Sequence, residues 1–268
     1  MIEVKDLHKS FGDKKVLKGI NADFRDGICN LIIGQSGAGK TVLMSCIIGL
    51  FHPSSGEILY DGRDMVKMKP KQWKLLRREV GMLFQGSALF DSMTVLENAR
   101  FPLDMFSSMN EKERNERAMF CLERVNLADA GNKYPGEISG GMQKRAAIAR
   151  AISLNPKYLF CDEPNSGLDP KTSLVIDELI HSITHEFNMT TIINTHDMNS
   201  VMGIGENIVF ISEGEKAWQG CNKEIMTSTN ERLNSFIFAS DLFKKIKEEE
   251  EKQMRTSNNT STFSKGKV

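Results

Sequence analysis

Little in the sequence would staple the chain or anchor it. Its five cysteines (Cys29, Cys46, Cys121, Cys161 and Cys221) are odd in number, scattered, and form no C-x-x-C pair. That argues against a disulfide framework and a structural zinc site, and makes a reducing cytoplasm the expected compartment. Long hydrophobic runs are also missing. The richest stretch, residues 42–51, reaches about half of the roughly 20 residues a membrane span needs, so no transmembrane helix is expected. The first nine residues lack the apolar core of a secretory signal. Net charge is absent as well: 35 basic side chains meet 35 acidic ones over 268 residues. Nothing global draws such a chain to nucleic acid or to an anionic membrane. Any membrane role must come through a protein partner. What remains is an ordinary globular composition, 40% apolar and 26% charged, with ample length for a buried core.

Short apolar runs alternate with helical patterns. Residues 29–33, 80–84, 158–161, 190–194 and 208–211 read as buried strands. Between them, residues 40–49, 142–154, 170–187 and 196–201 carry helical periodicity. This alternation predicts an α/β fold with a mostly parallel sheet. Residues 2–7 alternate instead, a turn signal follows at Ser10, Phe11, Gly12 and Asp13, and residues 56–62 read similarly. An antiparallel β piece is therefore expected to flank the parallel sheet. Residues 92–132 show no strand, and 94–98 and 111–126 look helical, as in an inserted helical subdomain. Near the C-terminus, Ser228 and Glu231 form a capping-box pattern before an apolar stripe at Leu233, Phe236, Ile237, Phe243 and Ile246. The partition expected is a main domain over 1–228, with 1–88 and 157–228 as core and 89–156 as helical subdomain. An amphipathic helix over 229–254 and a disordered tail over 255–268 complete it.

The strand at 29–33 runs into Gly34, Gln35, Ser36, Gly37, Ala38, Gly39, Lys40 and Thr41, then into a helix. That is a phosphate loop in its required strand–loop–helix setting. Glycines let successive backbone N–H groups turn inward as an anion nest, and the following helix points its positive end at the same phosphates. Lys40 supplies a mobile charge for the β and γ oxygens, and Thr41 a hydroxyl for Mg²⁺. Asp162 and Glu163 follow the strand at 158–161. A carboxylate at the C-terminal end of a parallel strand can reach the metal shell opposite Thr41. Glu163, one residue on, can polarise a water at the γ-phosphate. His196 likewise follows a strand, at the same sheet edge. His8, His52, His181 and His185 have no comparable placement and read as structural.

Ser139, Gly140, Gly141, Met142 and Gln143 stand before a helix carrying Lys144 and Arg145. Serine and glycines at a helix start make a second anion cradle, although the phosphate loop already holds one side of a nucleotide. Taken in order, these motifs resemble an ATP-binding cassette (ABC) ATPase, from Phe11 to His196 across nearly the whole chain. The resemblance implies a P-loop, RecA-like core that binds ATP and Mg²⁺ and hydrolyses ATP. It implies that Phe11 meets adenine and that Gln85, at the Q-loop, joins Thr41 and Asp162 around the metal, Asp162 directly or through water. It further implies that the segment Ser166, Gly167, Leu168 and Asp169 crosses to a partner. Ser139, Gly140 and Gly141 would then serve the ATP held by the other protomer of a homodimer. With Glu163 and His196 both present, the site is expected to be hydrolytically active. Ile138 stands where leucine is usual and Met142 where glutamine is commonest, and neither removes a hydrogen-bonding group from the cradle.

The residues after Gln85 narrow the resemblance. Residues 84–103 (FQGSALFDSMTVLENARFPL) are similar to the ATPase of Mla-type lipid transporters, which work with MCE-domain proteins. Here glycine and serine at 86 and 87 are exchanged relative to the commonest order. This likeness implies integral membrane permease partners, an MCE-domain lipid-binding protein, and a cytoplasmic place, peripheral on the inner membrane. Transport would move phospholipid between inner and outer membranes. Leu89, Phe90, Met93 and Phe101 are the expected apolar anchors for a permease helix. The alternatives are the ATPase of an amino-acid or metal importer and a soluble iron–sulfur assembly ATPase. Nucleic-acid-handling relatives fit poorly, since the chain has neither a second cassette nor a basic stripe.

Overall fold

Two sheets carry the fold of the chain, seen here in a computed structural model that describes residues 1–238. The expected tail at 255–268 and most of the expected helix at 229–254 lie outside the described residues. Residues 1–222 form one compact unit, and a second unit begins at Lys223. In the first unit, β1 (Ile2–Phe11) and β2 (Lys14–Phe24) form a hairpin, with β3 (Cys29–Ile33) next. Then come α1 (Lys40–Ile48), β4 (Ser55–Tyr60), β5 (Arg63–Asp64), α2 (Pro70–Leu76) and β6 (Val80–Leu83). Helices α3 (Val95–Phe106), α4 (Glu111–Arg124) and α5 (Gly140–Ile152) follow. The chain returns through β7 (Tyr158–Asp162), α6 (Pro170–Glu186), β8 (Thr190–Asn194), α7 (Met198–Ile204), β9 (Asn207–Ser212) and β10 (Glu215–Gly220).

The four-stranded sheet has the order β2-β1-β4-β5 and is antiparallel. Alternation drives it: Ile2, Val4, Leu7, Leu17, Ile20 and Phe24 turn into the core, while their neighbours face out. The six-stranded sheet runs β10-β9-β3-β8-β7-β6, parallel from β9 to β6 and closed by antiparallel β10. Every residue of β3 and β8 is buried, which is why, Asn30 and Asn194 apart, those strands read as runs of apolar and β-branched residues. A core of Phe24, Ile32, Leu43, Ile47, Tyr60, Phe160 and Val209 joins the two sheets through α1. Tyr60 and Tyr158 meet edge-on, 4.8 Å between ring centroids.

Among the element boundaries that differ from the sequence reading, three have a plain local cause. Helix α3 continues past Asn98 to Phe106 through Pro102, eight residues beyond the expected end. Its start is strong, a capping box between Thr94 and Glu97, and Leu103 is buried beyond the proline. Helix α5 begins two residues early, at Gly140, because the Ser139 hydroxyl accepts the Met142 N–H at 3.3 Å. Helix α7 begins at Met198, because Asp197 and not His196 is its cap. At the end of the described chain, α8 (Asn222–Ile225) opens on the last residue of the first unit, and α9 (Glu231–Ile237) lies in the second. The Ser228–Glu231 capping box is not formed. Asn230 caps α9 through the Leu233 N–H, while the Ser228 hydroxyl accepts the Asn230 N–H. Asparagine, two residues nearer the apolar stripe, holds the better Ncap position.

Candidate functional site

Strand register assembles the site. Asn194 lies beside both Ile32 and Asp162 in the parallel sheet, so β3, β7 and β8 end together. The phosphate loop, the acidic pair and His196 therefore leave one edge of one sheet, where α/β folds place ligands. Gly39 opens α1 in the left-handed region, φ 106°, with no side chain capping the helix. The first amides of α1 are thus left facing the loop's interior, a ready anion site. Gly34 is fixed by space as well as by its φ of 150°. A Cβ there would stand 2.2 Å from the carbonyl oxygen of Ile211 on β9.

Lys40 is buried and arches back, donating to the carbonyls of Gly34 at 2.8 Å and Gln35 at 3.2 Å. Burial lowers its pKa, opposed by the nearby charges of Glu163 and Asp162. Ammonium and carboxylates thus share one pocket, as a site for a polyanion with a counter-cation requires. The Asn194 side-chain amide donates to Asp162 Oδ1 at 2.6 Å and to Thr41 Oγ1 at 3.3 Å. Two hard oxygen donors therefore converge around one point, the donor set that suits Mg²⁺. Asn194 Oδ1 is buried there with no hydrogen-bond partner. A hydrated Mg²⁺ could supply one, so the residues present fit the ion.

Glu163 leaves β7 in the left-handed region, φ 47°, with its N–H on the Asn194 carbonyl at 2.9 Å. Its carboxylate meets His196 Nδ1 at 2.8 Å. The carboxylate is mostly covered while the imidazole is 71% exposed, so the ring's far side is free. Gln85 lies at the end of β6 and donates its amide to Ser166 Oγ at 3.2 Å. Phe11 is exposed and packs edge-on to Phe51, 5.3 Å between centroids, under the Lys9 ammonium.

Other expected residues lie apart. Ser139, Gly140 and Gly141 line a cleft with Gly167, Leu168, Asp169 and Thr172, and no phosphate-loop residue borders it. Asp169 caps α6 by accepting the N–H groups of Lys171 and Thr172. Gly141 is crowded in the same cleft, where a Cβ would sit 2.7 Å from Thr172 Cγ2. Leu89, Met93 and Phe101 are half-buried and Phe90 is exposed, its ring packed at a tilt against Phe101, 4.7 Å between centroids. None of the four belongs to the buried core.

Sequence reasoning missed the residues that hold these pieces in place. Lys144, buried on α5, donates to the Gln85 carbonyl. Arg150, one and a half turns on, donates to the carbonyls of Ser87 at 2.7 Å and Ala88 at 2.6 Å. Both of those residues have positive φ. Asn98 accepts the Phe90 N–H and donates to the carbonyls of Phe90, Met93 and Thr94. Only a buried polar side chain in an apolar helix face hinted at this.

Asp177 on α6 braces the loop after Glu163. It accepts from Asn165 at 2.9 Å and from Ser200 at 2.7 Å. Burial pushes its pKa up to about 6, against the opposing pull of those two hydrogen bonds. A carboxyl with a raised folded-state pKa stabilises fully below its unfolded value near 4, and that stability is lost as pH rises to about 6. Asp177→Asn keeps both contacts, because the Ser200 hydroxyl can turn to accept. The variant is expected to flatten the pH dependence of the melting temperature between about pH 4 and 6 and to raise it at neutral pH. Thermal melts across that range check it.

Among the described residues no helix is long and apolar enough to cross a membrane. The family profile described as "ABC transporter" matches residues 17–166. The probable ribonucleotide transport ATP-binding protein mkl of Mycobacterium leprae is 37% identical over 236 residues, covering 88% of this chain and 68% of that protein. The methionine import ATP-binding protein MetN of Campylobacter jejuni is 35% identical over 257 residues, covering 90% and 76%. Among solved structures, the dimeric post-hydrolysis state of the ATP-binding cassette MJ0796 bound to ADP and Pi superposes with a TM-score of 0.74. It is 32% identical and covers 83% of this chain and 99% of that one. A phosphate loop, an acidic pair and a histidine gathered at one sheet edge, in a chain this similar to such cassettes, leave one conclusion: it belongs to the ABC transporter family, as an ATP-binding subunit with ATPase activity.

Proposed function

We propose that this chain energises phospholipid transport between inner and outer membranes, as the dimeric ATPase bound to permease subunits and an MCE-domain protein. The observation that carries the ATPase half is the separation of two anion cradles. Phosphate loop and Glu163 share one sheet edge, while Ser139 and Gly141 face a different cleft. Two chains arranged head to tail would bring each cradle to the other's nucleotide, and the dimeric cassette with ADP and Pi supports that arrangement.

In this reading Phe11 stacks on adenine, and Gly34, Gln35, Ser36, Gly37, Ala38 and Gly39 wrap the phosphates with their amides. Lys40 leaves its own loop carbonyls for the β and γ oxygens. Thr41, Asp162 and Gln85 hold Mg²⁺, which when bound neutralises phosphate charge. Glu163 takes a proton from the attacking water, whose oxygen bonds the γ-phosphorus as ADP departs. His196, held through Nδ1 by Glu163, turns Nε2 toward the γ-phosphate. The partner's signature residues close over that phosphate, so its loss reopens the dimer. The domain partition at 1–228, with a helical subdomain at 89–156, is part of the proposal.

The lipid half rests on the likeness of residues 84–103. Exposed Phe90, shaped by Asn98, supports a docking role for that segment. Methionine import is the second reading, favoured by the 35% identity to a methionine import subunit. Copurification from native membranes distinguishes them. A permease with an MCE-domain protein and phospholipid is expected, whereas a permease with a solute-binding protein establishes nutrient import. Phe90→Asp is expected to lose the permease and keep ATPase activity, and loss of both would place Phe90 in the fold instead.

A further inference from the structure

His181 and His185 are four residues apart on α6 and share one helix face. Their Nε2 atoms are 3.2 Å apart. Glu206, between α7 and β9, brings Oε2 to 3.2 Å from His185 Nε2 and 3.8 Å from His181 Nε2. That same oxygen accepts the backbone N–H of Cys29, the first residue of β3, at 2.8 Å. The carboxylate is therefore held in place by the sheet, not by the histidines. Among the described residues this is the one group of three metal-ligating side chains that converges in this way.

Hydrogen bonding alone does not satisfy the triangle. A neutral imidazole Nε2 carries one proton or one lone pair, never both. His185 Nε2 cannot donate to Glu206 and also accept from His181. One edge always lacks its proton. A cation at the centre satisfies all three lone pairs together. Bonds of 2.0–2.2 Å at tetrahedral angles put ligand atoms roughly 3.3–3.5 Å apart. The observed edges of 3.2, 3.2 and 3.8 Å straddle that spacing. The Cys29 N–H supplies the outer hydrogen bond that orients a ligating carboxylate.

We propose that His181, His185 and Glu206 bind a divalent transition-metal ion of zinc's class, with the fourth position open to solvent. Two imidazoles and one carboxylate select such an ion over Mg²⁺, which prefers an all-oxygen shell. His185 is exposed and His181 half-buried, so the ion has an entry path. The ion ties the last turns of α6 to the segment between α7 and β9 and, through the Cys29 N–H on Glu206, to the start of β3. It lies at the opposite end of that strand from the phosphate loop. This site is separate from the Mg²⁺ of the nucleotide.

Titration of the full chain with Co²⁺, in excess Mg²⁺ and ADP, tests this. The expected result is one cobalt per chain with the intense visible bands of a four-coordinate ion, displaced by Zn²⁺. His181→Ala and His185→Ala should each weaken binding by at least about tenfold, and melt like the wild type in metal-free buffer. Zn²⁺ should raise the melting temperature of the wild type but not of those variants. His196→Ala, which breaks the other histidine–carboxylate pair, should leave the cobalt bands unchanged. The absence of bands in the wild type overturns the proposal. So does their survival in His185→Ala together with loss in His196→Ala.

Discussion

Glu163→Gln is expected to slow ATP hydrolysis by about 10²–10⁴-fold, equivalent to roughly 3–5 kcal/mol of barrier. Nucleotide affinity should be kept. Glutamine has the shape of glutamate and can still accept a hydrogen bond from His196 Nδ1, now 2.8 Å from the carboxylate. What it cannot do is take the proton from water. The loop geometry does not depend on the charge, because the residue's left-handed backbone is pinned by the Asn194 carbonyl. If closure of two chains depends on an intact γ-phosphate, the variant should also accumulate as a dimer in ATP but not in ADP. Phosphate release and size-exclusion chromatography with each nucleotide read both effects. Wild-type turnover in the variant would move the base elsewhere, and His196 would be the next residue to test.

The strands that build this site were legible because they are buried on both faces. Apart from Asn30 and Asn194, residues 29–33 and 190–194 are all apolar or β-branched, and each segment is a fully buried strand. The phosphate loop was legible for another reason, since its glycines answer a local steric demand that no other residue type meets. The long-range polar contacts were not legible. Asn194 joins Thr41 to Asp162 across 153 and 32 residues of sequence, and no local pattern marks an asparagine for that task. Caps were half legible. The pattern Ser228–Glu231 matched a box, yet Asn230 won because the structure decides which of two good caps starts the helix. Helix α3 runs on through Pro102, and Leu103 is buried beyond it although the proline donates no helical hydrogen bond.

Helix α5 joins motifs that look independent in sequence. Its N-terminus is the signature, capped by Ser139. Five residues on, Lys144 holds the carbonyl of Gln85, and Arg150 holds the next two carbonyls but one. The Gln85 loop and the segment that begins at Leu89, the proposed metal and permease contacts, are therefore fastened to the same helix as the proposed trans cradle. A push on residues 86–93 would reach Ser139 through these contacts, since buried cations on a helix leave little slack. In the proposed reading, Ser139, Lys144 and Arg150 on one helix would link a permease contact to the partner's nucleotide.

Mixing two inactive variants should restore activity if the cradle acts in trans. Lys40→Met keeps the apolar stem of the lysine and removes its charge from the phosphate loop. Ser139→Asp keeps a good helix cap for α5 while setting a carboxylate against the γ-phosphate. Each homodimer then has two defective sites. In a heterodimer, one site combines both defects and the other combines an intact phosphate loop with an intact signature. Random pairing makes half the dimers mixed, so an equimolar mixture should recover about a quarter of the wild-type rate when the two sites act independently. A cradle serving its own chain's nucleotide predicts no recovery at any ratio. Recovery must also follow a particular dependence on composition, peaking at equal amounts and falling on either side. Steady-state phosphate release across a series of mixing ratios, after exchange in ADP, separates the two arrangements. Trans action gives a maximum at the midpoint, and cis action gives a flat line at zero.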